Sequence, residues 1–154
     1  MKHILNLFWI TIVALFFYFV VVGIIEEQFL SQKIIPFAGT SIQGWLSDFR
    51  YWGGMGILMA WLASVSWYAL AQWVFRVNNL SDAGRRGVWG VLMLIPLAAV
   101  VAAFIFTRRL QAGMELALAL YVANALLCYY LATAFFSPPA HKYVPLFASA
   151  LRRW

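Results

Sequence analysis

Four long apolar stretches fill most of this chain, at residues 4–25, 52–75, 88–107 and 114–136, and Glu115 is the only charged residue inside them. Each is about 20 to 24 residues long, the length at which a helix rising 1.5 Å per residue crosses a hydrocarbon layer of about 30 Å. A stretch of that length with no charge is poorly suited to a soluble core helix, which needs a polar face. The pattern therefore predicts an all-α integral membrane protein with four transmembrane helices. Composition agrees: 65% of the 154 residues are hydrophobic and 10% are charged, against roughly 45–50% and 25% in soluble domains. The segments between the spans are too short to make an independent soluble domain, so residues 1–154 are expected to form a single membrane domain.

The connecting segments carry two further elements. After Pro36 and Gly39, Thr40 or Ser41 offers an N-cap. Ile42, Trp45, Leu46 and Phe49 follow at the i, i+3, i+4, i+7 spacing of one helix face, with Gln43, Ser47, Asp48 and Arg50 opposite. This predicts a short amphipathic helix lying in the membrane interface before the second span. Between the second and third spans, Asn78, Asn79, Ser81, Asp82 and Gly84 predict a tight turn. At the other end, Ser137-Pro138-Pro139 stops the fourth span, and Pro145 is suited to the first turn of a new helix. Phe147, Ala150, Leu151 and Trp154 then share a face beside Arg152 and Arg153, predicting a basic amphipathic tail.

Charge placement orients the chain. With the N-terminus cytoplasmic, the inside segments hold Lys2, Arg76, Arg85, Arg86, Lys142, Arg152 and Arg153, seven basic residues, and the outside ones hold Lys33, Arg50, Arg108 and Arg109. By the positive-inside rule both termini are expected in the cytoplasm. A bacterial inner (cytoplasmic) membrane is the expected location. The net charge of +6 lies in short groups at helix ends, which suits anionic headgroups and argues against nucleic acid. Arg85, Arg86, Arg152, Arg153 and Trp154 are the expected membrane-surface residues. Trp45, Tyr51, Trp52, Trp73, Trp89 and Tyr143 fit an interfacial aromatic belt, and mid-helix Trp61 and Trp67 do not.

Inside the bundle, small residues and the few polar ones decide helix contacts, because lipid gives little hydrophobic drive for association. Gly56, Ala60 and Ser64 in the second span, and Gly113 and Ala117 at the start of the fourth, are the expected close-approach positions. Asn124 is the most polar residue deep in a span, with Tyr121 and Cys128 on its face. Its amide needs a partner within the bundle or across an oligomer. Pro96 is expected to kink the third helix.

No chemistry-bearing constellation stands out. The single cysteine excludes an intrachain disulfide, and His3 and His141 both lie outside the spans. Glu26 and Glu27 are adjacent at a helix end and point in different directions. No catalytic residue, cofactor or metal is expected, so the chain is not expected to be an enzyme. The expected role is a non-enzymatic membrane subunit (anchor, scaffold or sensor) packing in a homo-oligomer or with larger membrane partners. The alternative is a small oligomeric channel or pore-forming effector lined by Asn124, Ser64, Ser66 and Tyr121. An accessory subunit of a transporter or membrane enzyme comes third. No motif singles out a family.

Overall fold

A computed structural model of the chain describes residues 2–33, 41–75, 80–106, 113–138, 141 and 143–145. Four helical rods long and apolar enough to cross a membrane make up these residues: His3–Lys33, Ile42–Val74, Asp82–Phe106 and Met114–Phe136. The first comprises α1 (Lys2–Phe16), a π-helical stretch (Phe17–Glu26) and α2 (Glu27–Lys33). The second comprises α3 (Ile42–Ala69) and a short π-helical end (Leu70–Val74), and α4 (Asp82–Phe106) and α5 (Met114–Phe136) are unbroken.

Cross-rod contacts give the topology. Tyr68 meets His3 and Asn6 at one end of the first rod, and Arg50 meets Glu27 towards the other, so the first two rods are antiparallel. Trp67 reaches Ser137 and Phe49 stacks on Tyr121, so α3 and α5 run parallel. Trp89 with Thr133 and Trp52 with Phe106 set α4 antiparallel to both. The result is an up-down-up-down four-helix bundle.

Two helices form its centre. α3 buries Trp45, Phe49, Gly53, Gly56, Ile57, Ala60, Ala63, Ser64, Trp67 and Tyr68, and α5 buries a run from Ala117 to Ala134. Close approach rests on small side chains. A Cβ on Gly56 would lie 3.9 Å from both Ala125 of α5 and Val100 of α4. The Tyr18 ring lies over Gly54, where a Cβ would come within 2.6 Å of it. The first rod and α4 instead turn rows of large apolar side chains outward, among them Phe8, Ile12, Phe19 and Ile25, then Val91, Leu94, Val101 and Ile105. In water such a surface would be an aggregation hazard, whereas in hydrocarbon it costs nothing.

The structure moves several expected boundaries. The stretch from Ile42 is helical and capped by Ser41, whose Oγ accepts from Gly44 N–H at 3.1 Å. It is not a separate interfacial helix, however: α3 runs through it without a break, and Trp45 and Phe49 pack into the bundle core. The helix continues because nothing between Ser41 and Ala69 removes a backbone donor. Likewise α4 begins at Asp82 rather than Val88, with Ser81 Oγ accepting from Gly84 N–H, so Gly84, Arg85, Arg86 and Gly87 are helical rather than part of a turn. The first rod runs on past Ile25 to Lys33. These extensions place Glu26, Glu27, Lys33, Asp48, Arg50, Asp82, Arg85 and Arg86 on the rods themselves, contrary to the expectation that Glu115 alone would be. Pro96 is buried within α4, which is helical on both sides of it. The expected tail helix and its Arg152, Arg153 and Trp154 lie outside the described residues.

Candidate functional site

Among the described residues the bundle core holds one ionisable carboxyl, and it belongs to a residue that the apolar pattern put at a helix end. Glu26 is 7% exposed, and its partner is Asn124 of α5. The Asn124 amide nitrogen donates to both carboxylate oxygens, at 3.0 and 2.8 Å. Asn124 lies ten residues into the 23-residue α5, about 15 Å along it at 1.5 Å per residue. The pair therefore sits well inside the rod. Tyr121 and Cys128, expected on the same face, are buried beside it at 4% and 1% exposure.

Glu26 faces inward because of the π-helical winding ahead of it. Ile10 and Ala14 of α1 and Phe17, the first residue of the π-helical stretch, are buried at ordinary spacings of four and three. The next buried position is Val22, five residues on, followed by Glu26 and Leu30 at intervals of four. The step of five is the π signature of a hydrogen bond reaching one residue further back. Such a bond is seen where the Glu27 N–H donates to Val22 C=O. An unbroken α-helix would instead have turned Val21 and Ile25 inward and left Glu26 about 100° to one side. Glu27 points away from the core, and its carboxylate takes a two-pronged contact from Arg50 at 2.6 and 2.5 Å.

Around this pair the core is aromatic. Trp45 stacks on Phe49 at 5.7 Å between ring centres, and Phe49 stacks on Tyr121 at 5.1 Å. The Tyr121 ring is also 3.4 Å from where a Cβ on Gly53 would lie, as is Val22. Trp45 Nε1 is buried without a hydrogen-bond partner.

Other polar groups in the bundle pair between helices or bond back to their own helix. Trp61 Nε1 donates to Thr11 Oγ1 at 3.1 Å, and Trp67 Nε1 to Ser137 Oγ at 2.7 Å. These bonds account for the two mid-helix tryptophans that an interfacial belt left unexplained. Trp89, expected in that belt, is instead buried against α5: its Nε1 donates to Thr133 Oγ1 at 3.0 Å, and its C=O accepts from the Tyr129 hydroxyl at 2.9 Å. Ser64 bonds back to Ala60 C=O at 2.7 Å.

The remaining expected contact residues divide. Gly56, Ala60, Ser64 and Ala117 are buried between helices. Gly113 is not among them: it is exposed at the start of α5 with φ +70°, a backbone region that only glycine enters freely, so its role is in the turn. Of the expected surface cations, Arg86 is exposed, while Arg85 is partly covered and contacts Asp82 at 3.3 Å.

At the opposite end from Glu26, His141 tucks beneath the bundle at 4% exposure, its ring edge against Phe75 at 5.8 Å. Burial, and then the nearby Arg85 guanidinium, hold its imidazole below the usual histidine range. Its Nδ1 has no hydrogen-bond partner. Among the described residues no three of His, Cys, Asp and Glu gather where a metal ion could be held. An open, almost wholly apolar groove of about 340 Å³ runs between the first two rods, lined by Ala14, Tyr18, Gly54, Ile57 and Trp61 among others.

Comparison with known proteins adds no relative: no family model, curated protein or solved structure matches the chain.

Proposed function

We propose that this chain is a non-enzymatic integral membrane subunit that anchors, scaffolds or senses through helix packing, with copies of itself or with larger membrane partners. One observation carries the reading. The central helices satisfy most of their buried polar groups within the chain, while the first rod and α4 present large apolar side chains outward. Such a molecule offers neighbours packing surface rather than chemistry. The proposed setting is a bacterial inner membrane with both termini cytoplasmic, supported by the seven-to-four division of basic residues.

A pore reading has less support. Asn124, Ser64 and Tyr121 are buried in a packed core and Ser66 is exposed on the outer surface of α3, so the four share no lane in one copy. Its single favourable observation is the Glu26 carboxyl deep in the bundle, since intramembrane acids often mark ion paths. Purified protein in liposomes separates the two. The subunit reading expects no ion flux, together with a stable homo-oligomer or partner complex extracted from native membranes. Reproducible conductance that changes in Asn124→Leu would overturn it in favour of the pore.

A further inference from the structure

We propose that Glu26 is a proton-binding site within the bundle, and that proton occupancy selects between two windings of the first rod.

The case begins with what surrounds the carboxyl. On its own rod Glu27 faces away to Arg50, and Tyr18 lies over Gly54. On α3, Asp48 is exposed and Arg50 is held by Glu27. α5 brings the neutral Asn124 amide and the Tyr121 phenol, and α4 carries no titratable residue from 87 to 106. Among the described residues no cation is within bonding reach of Glu26. A carboxyl in that position is accommodated by holding a proton or by moving to a counter-charge. With the proton on, acid and amide are complementary: the Asn124 nitrogen donates to the carboxyl, and the acid O–H supplies a donor that the amide oxygen is able to accept.

The π-helical stretch supplies the second position. It adds one residue to the buried spacing, five from Phe17 to Val22 where four would serve an α-helix. If that extra residue is taken up, every side chain beyond it advances by one place. Ile25 then faces Asn124, and Glu26 takes the place Glu27 now holds beside Arg50. Ile25 is 56% exposed in the present winding, so the exchange carries an apolar side chain into the core as the carboxylate leaves. Both windings are thus chemically consistent. Proton-bound Glu26 suits the amide, and proton-free Glu26 suits the guanidinium. No atom other than the proton enters or leaves, and it is exchanged with solvent.

Selective isotope labelling tests this directly, because the chain has only three glutamates, Glu26, Glu27 and Glu115. Protein labelled with 13C-Glu, 15N-Asn and 15N-Arg is reconstituted in liposomes and followed by solid-state NMR from mildly acid to alkaline buffer. Glu26→Gln identifies the Glu26 signal by its loss, and if that variant does not fold, Glu26→Asp serves the same purpose. The expected result is a protonated carboxyl carbon close to the Asn124 side-chain nitrogen on the acid side. On the alkaline side it is replaced by an ionised one close to an arginine guanidinium. An ionised Glu26 still in contact with Asn124 would overturn the proposal. So would a Glu26 signal and contact that stay the same across the range.

Discussion

Asn124 and His141 show how much one buried polar side chain decides. The amide of Asn124 is the donor that both oxygens of Glu26 share. Replacing it with leucine leaves a buried carboxyl with no partner, a change that costs about 1–3 kcal/mol. Asn124→Leu is therefore expected to lower the thermal midpoint in detergent. Because the bond lies within one chain, native mass spectrometry should find the oligomeric state unchanged. A shift to smaller species would mean that Asn124 also joins copies. His141 makes a pH prediction. Its imidazole is held below the ordinary value of 6.5 in the folded chain, by burial first and Arg85 second. Below that ordinary value the unfolded chain binds the proton more readily, so stability falls as pH drops from 6.5 towards the folded value and is flat above. Melting temperatures of wild type and His141→Phe across mildly acid pH should differ in slope, with the flatter curve belonging to the variant.

The winding of the first rod is a property of the element rather than of any one residue. With one residue more than an α-helix needs between Phe17 and Val22, the π-helical stretch can be shortened without disturbing the faces on either side. Deleting Phe19, which is 60% exposed, is expected to convert it to regular helix while leaving the glutamate opposite Asn124. Thermal stability should be retained within about 0.5 kcal/mol of wild type, the range usual for changes at exposed positions. Deleting Ile12 from the regular α1 is the control. It turns His3 and Asn6 by about 100° away from Tyr68 and is expected to destabilise clearly. If both deletions behave alike, the π-helical stretch has no special role in register.

Taken whole, the molecule is a bundle with a polar-paired centre and an apolar outside. The proposed topology follows from charges near the ends of its rods. Reporter fusions or cysteine labelling after Gln32 and at the C-terminus should report opposite sides of the membrane, the C-terminus cytoplasmic. An extracytoplasmic C-terminus would reverse the assignment and with it the side of the membrane to which Arg85 and Arg86 belong. In the proposed reading, copies or partners would pack on the outward rows of the first rod and α4, which turn out more large apolar side chains than α3 and α5 do.

The four apolar rods were legible by length and lack of charge alone, because a hydrocarbon layer imposes both requirements on any helix that crosses it. The face of Ile42, Trp45, Leu46 and Phe49 was also legible, and so was the shared face of Tyr121, Asn124 and Cys128, since helical spacing needs no partner to be read. What covers those faces was not. The bundle covers the first, and Glu26, 98 positions away, answers the second. That pairing depends on a step of five in the buried spacing, which no run of apolar residues announces: Phe17 to Ile25 is apolar apart from the Tyr18 hydroxyl and reads equally well in either winding. Packing against α3 and α5 distinguishes them, because there the inward places go to Val22 and Glu26 rather than Val21 and Ile25.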